Sequence, residues 1–119
     1  MTEKQRPNVV GKGRSFLREA IAAIAEIKAG GSKLGAAGQD KVNSLLTDRA
    51  TMLESILKMP FIGTVKAGEL AWDLNDAATE LKTAAAAGDE AKSLELATNM
   101  AAEMDKFVHT TKTFVVRMT

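Results

Sequence analysis

Apolar positions along this 119-residue chain recur at helical spacing rather than in strand-like alternation. The pattern is clearest near the C-terminus. After Gly88-Asp89, a break followed by a good N-cap, apolar or small residues fall at Leu94, Ala97, Ala101, Met104, Val108, Thr111, Val115 and Met118. The steps alternate three and four. A second row, Met100, Phe107 and Phe114, recurs every seven residues beside the first. Such a seam belongs to a helix laid against other helices, here predicted over about 90–116.

The upstream segments supply the partners. Leu70, Leu74, Ala77, Leu81 and Ala84 predict a helix over about 64–87. Val42, Leu45, Leu46, Met52, Leu53, Ile56 and Leu57 predict another over about 40–59, stopped by Pro60. Phe16, Leu17, Ala20, Ile21, Ile24 and Ile27 predict the first, over about 15–29, with Ser15 as N-cap and Gly30-Gly31 as terminator. The Gly-rich stretch 30–38 is a flexible connection long enough to cross a bundle end. The expectation is an all-α chain: a four-helix bundle over residues 15–119, up-down within its two hairpins. A short, basic, non-helical arm, residues 1–14, precedes it.

Two residues break the pattern. Arg49 sits near the middle of its helix's apolar face, where an unpaired guanidinium is too costly to persist. If the second and third helices form a hairpin about residues 60–63, Arg49 is level with about residue 74. A buried ion pair between Arg49 and Asp73 is therefore expected. Trp72 points nearly opposite the centre of its own helix's stripe, at about 100° of rotation per residue. Val65 shares its direction and Ile62 lies beside them, so Ile62, Val65 and Trp72 form a candidate protein-contact patch. The alternative is that the arm or the Gly-rich connection folds over it.

Composition agrees with the helical reading. Tyr is absent, Pro occurs twice and Ala is abundant. The chain has no Cys, which removes disulfides, thiolate metal sites and Cys nucleophiles. No signal-peptide core and no stretch of roughly 20 apolar residues is present, so no membrane partner is expected and the cytoplasm is the expected location. The formal net charge of +1 gives no strong overall attraction to nucleic acid. Locally the arm is basic: Lys4, Arg6, Lys12, Arg14 and then Arg18 could contact phosphate or a partner subunit, and such binding would depend strongly on salt.

Candidates for chemistry are few. Neither the Gly-rich stretch nor Gly11-Lys12-Gly13-Arg14-Ser15 has the spacing of a phosphate-binding loop. The single histidine, His109, falls on the polar side of its helix near Asp105. Lys106, not Glu, stands three residues before it, so the Glu-x-x-His pair of di-metal bundles is missing. The segment GDEAKSLELATNMAAEMDKFVH resembles the final helix of cytochrome b562-type bundles, which implies a haem ligand at His109. The resemblance spans under a quarter of the chain, and the first predicted helix carries no axial Met. No catalytic residue, metal or cofactor is expected. The expected function is a non-catalytic scaffold or assembly subunit that acts through protein–protein contacts, with self-association into a homo-oligomer. Alternatives are a nucleic-acid-associated subunit using the basic arm, and a small-molecule or haem-binding bundle.

Overall fold

The computed structural model describes residue 9 and residues 11–29, 33–59 and 64–118, with side chains up to residue 110. Four helices follow in order: α1 (Gly13–Lys28), α2 (Ala36–Ile56), α3 (Val65–Ala86) and α4 (Glu90–Met118). The chain is an all-α four-helix bundle, and no strand occurs among the described residues.

Local chemistry explains most of the helix ends. Thr64 is the N-cap of α3, its hydroxyl accepting from the Ala67 amide at 3.2 Å. Gly88 takes φ 76°, the left-handed conformation that closes a helix most cheaply with glycine. Asp89 then caps α4 by accepting from the Lys92 amide at 3.1 Å. Two starts differ from expectation. α1 begins at Gly13, so Arg14 and Ser15 are helical, and Lys12 rather than Ser15 is the N-cap residue. α2 begins at Ala36, four residues early, because Gly38 is a buried helical residue and not part of a loop. It ends at Ile56, ahead of Pro60.

Helix α2 has neither an acid in its first turn, nor a base in its last, nor a side-chain N-cap. Its neighbours supply the complementary charges. The Glu90 carboxylate of α4 lies over Gly38 in the first turn of α2. Arg14 of α1 donates from Nε to the carbonyl of Leu57, the C-cap residue, at 2.8 Å. An anion at the N-terminus and a cation at the C-terminus both complement the helix dipole.

The neighbour relations hold the main surprise. α1 packs most extensively on α3, α2 on α4, α3 on α4, and α1 more lightly on α2. The pairs α2–α3 and α1–α4 lie across the diagonals. Within each hairpin the helices are antiparallel: Gln39 donates to the carbonyl of Ile27 near one end, and Arg14 to that of Leu57 near the other. The two hairpins stack in the same sense, so α1 runs parallel to α3 and α2 parallel to α4. Phe16 meets Trp72, Glu19 meets Asn75, Glu26 meets Lys82 and Arg49 meets Asp105. Each pair is 56 residues apart. That constant separation is the signature of a repeated hairpin.

Packing explains the arrangement. α3 carries two buried edges. Leu70, Leu74 and Leu81 form the row visible in sequence. Ala67, Gly68, Ala71, Ala78 and Ala85 form a second edge of small residues, all buried. Small side chains let a neighbouring backbone approach closely, and α1, which packs most extensively on α3, buries Leu17, Ile24 and Ile27 in the same core. On α4, Leu94 of the first row and Thr98 border the groove against α2, and the buried Leu96, which belongs to neither row, borders the groove against α3. Met100, Met104 and Phe107 are fully buried.

Candidate functional site

Arg49 does not make the expected buried pair with Asp73. Its helix and α3 are diagonal partners, so the hairpin that would bring the two residues level is not formed. The guanidinium instead grips Asp105 of α4, with Nε to Oδ1 at 2.9 Å and the second nitrogen to Oδ2 at 3.2 Å. Its remaining nitrogen donates to the Leu45 carbonyl at 2.8 Å. The pair lies at the surface, with side chains 33% and 61% exposed, so it is not buried either. Hydrogen bonding to Asp105 raises the Arg49 pKa, burial opposes it, and the charges of Asp105 and Asp48 add to the rise. Asp73 is half-buried on α3.

The proposed contact patch is only partly as expected. Val65 is 49% exposed at the first turn of α3. Trp72 is half-buried, and its ring meets Phe16 of α1 edge-on with centroids 5.3 Å apart. The indole therefore borders the α1–α3 seam and does not stand clear of the bundle. The stripe Leu70, Leu74, Ala77, Leu81 and Ala84 is only part of the buried arc of α3. The small-residue edge turns the buried arc round to the flank of Trp72. Ile62 lies outside the described residues.

The arm is anchored beside this patch. Val9 is buried, and its backbone carbonyl lies so close to Gly68 that a Cβ there would collide with it. Gly11, with φ 73°, turns the chain, and the Lys12 amide donates back to the Val9 carbonyl at 3.1 Å. Gly68 falls between Val65 and Trp72 on one flank of α3, at helical steps of three and four. The expected alternative, an arm folded over this face, thus describes Val9. Of the basic residues, Lys12, Arg14 and Arg18 are exposed, while Lys4 and Arg6 lie outside the described residues.

Among the described residues, open grooves run between helices. One of about 450 Å³ between α3 and α4 is lined by residues including Thr79, Thr83 and Lys92. One of about 490 Å³ between α2 and α4 includes Lys41, Ser44 and Thr98. One of about 340 Å³ between α1 and α3 has its polar groups paired across it, Glu19 with Asn75 and Glu26 with Lys82. His109 is exposed on α4. Among the described residues no three His, Asp or Glu side chains converge on a metal-sized site. Ser93 is buried and its hydroxyl has no hydrogen-bond partner among them, so no base activates it. No described helix is long and apolar enough to cross a membrane. Comparison with known proteins yields no match to this chain: no family model, no curated protein and no solved structure is significantly similar to it.

Proposed function

We propose that this protein is a non-catalytic helical module that works through protein–protein contacts, self-association foremost, in the cytoplasm. The observation that carries the reading is the flank of α3. Val65 is one of two large apolar residues left exposed among the described ones, the other being Met52 on α2. It stands within two helical turns of the uncovered part of Trp72, beside the docked Val9. An exposed apolar side chain next to a half-covered indole suits the centre of an interface, where aromatic anchors and excluded water concentrate binding energy.

Val65→Asp is the direct test. Its side chain is outside the core, so helicity and unfolding midpoint should stay near those of the parent. Native mass by light scattering should shift toward the monomer. Trp72→Ala is the less clean probe, because it also removes the contact with Phe16. If the parent chain is monomeric at every concentration, or Val65→Asp leaves an oligomer intact, this reading fails.

A further inference from the structure

Near neutrality of the whole chain conceals a local excess of positive charge. Lys12, Arg14 and Arg18 occupy the N-terminal end of α1, and no acid lies in its first turn. The hydrogen bond from Arg14 to the Leu57 carbonyl brings the C-terminal end of α2 alongside, and with it Lys58. All four side chains are exposed. Lys58 is more than forty positions from Arg14 in sequence, so only the fold unites them.

Lys58 follows the C-cap of α2, where a cation complements the dipole, but the cations at the start of α1 are poorly explained by stability. Cations in the first turn of a helix oppose its dipole. Arg14 is compensated, because it serves the C-terminal end of α2. Among the described residues the ion pairs are Arg49–Asp105 and Glu26–Lys82, and neither engages Lys12, Arg18 or Lys58. Nε is the one atom of the Arg14 guanidinium used among those residues. Its terminal nitrogens remain available as a planar fork that suits a phosphate. Glu19 and Glu54 flank the cluster and offset part of it. On α3, Glu69, Asp73, Asp76 and Glu80 recur at steps of four, three and four, with Glu69 and Glu80 exposed. A polyanion would be drawn to the α1–α2 edge rather than to α3.

From this segregation we infer that the α1–α2 end of the bundle docks the phosphate backbone of a nucleic acid, without sequence preference. A protein partner fits this end less well. The two exposed large apolar residues, Val65 and Met52, lie on α3 and on the α4 side of α2, and neither is on the α1–α2 edge that carries Arg14, Arg18 and Lys58. An interface there would lack an apolar centre. Phosphate contacts need only the cations, and no exposed aromatic residue is described there to read or stack a base.

The test is fluorescence anisotropy with a labelled duplex of mixed sequence, titrated with the full chain. Four phosphate contacts predict an affinity loss on the order of 10²-fold between about 50 and 200 mM salt. Lys58→Ala should weaken binding at low salt and flatten the salt slope by about 1. Arg18→Ala should do the same, and Lys92→Ala, at the other end of the bundle, should change nothing. Circular dichroism and unfolding midpoints of all three variants establish that the fold is retained. Absence of binding at the lower salt overturns the inference. So does parent-like binding by both Lys58→Ala and Arg18→Ala, which would leave the arm as the sole attachment. Displacement of the duplex by polyglutamate as readily as by unlabelled DNA would reassign the surface to acidic proteins.

Discussion

The two parallel helix pairs solve one geometric problem by different means. α1 and α3 approach through small residues, with Ala67, Ala71, Ala78 and Ala85 all inaccessible and the large side chains contributed mainly by α1. α2 and α4 are joined at their flank by polar chemistry: the Arg49–Asp105 pair near the middle and Glu90 over the first turn of α2. The first solution depends mainly on shape, its exposed flank pairs Glu19–Asn75 and Glu26–Lys82 adding little. The second depends on charge at a wet surface, where screening limits its worth. Parallel neighbours gain no help from their dipoles, so each pair needs such a device in addition to the shared core.

The sharpest way to break the contrast is to overfill the small-residue edge. Ala71→Leu should destabilise the fold by about 1–3 kcal/mol or more, because α1 must move away along its length. Chemical denaturation would measure the loss.

The two buried helical glycines give a finer comparison. Replacing Gly by Ala inside a helix normally gains up to about 1 kcal/mol. At Gly68 the new methyl meets the Val9 backbone, so Gly68→Ala should lose stability despite its better propensity. At Gly38 the obstacle is the Glu90 side chain, which can swing aside, so Gly38→Ala should be neutral or stabilising. Equal effects of the two substitutions on the unfolding midpoint would contradict a backbone contact at Gly68.

The smallest effect is expected at the ion pair. Arg49→Ala should cost about 0.2–1 kcal/mol, diminishing as salt is added. The folded-state pKa of Arg49 is raised, so its contribution is complete below the unfolded value and disappears only as pH climbs through the folded one. That window lies at extreme alkalinity. The difference in stability between parent and Arg49→Ala should therefore be flat, as far as Arg49 titration is concerned, across the neutral range.

Much of the architecture was legible from large side chains. The four helices, both rows of α4 and the leucine row of α3 are all readable where Leu, Met and Phe recur at helical steps. What escaped was written in small residues. Alanine and glycine at 67, 68, 71, 78 and 85 do not stand out as a hydrophobic face, yet they select the closest neighbour of α3. With that edge unseen, α2 was the natural partner for α3. The Arg49–Asp73 pair followed from that choice, and the outward indole from measuring its phase against the larger stripe alone. The exposed bases of α1 were visible one by one, but Lys58 belongs with them only through the Arg14–Leu57 hydrogen bond, which no local pattern announces.

The edge-on meeting of Trp72 and Phe16 has a practical consequence. The chain contains no other tryptophan and no tyrosine, so its near-ultraviolet emission comes from a single indole placed at the seam between the stacked hairpins. The protein thus carries its own optical gauge of hairpin separation. A red shift that precedes the loss of helical ellipticity would reveal the hairpins parting before they unwind.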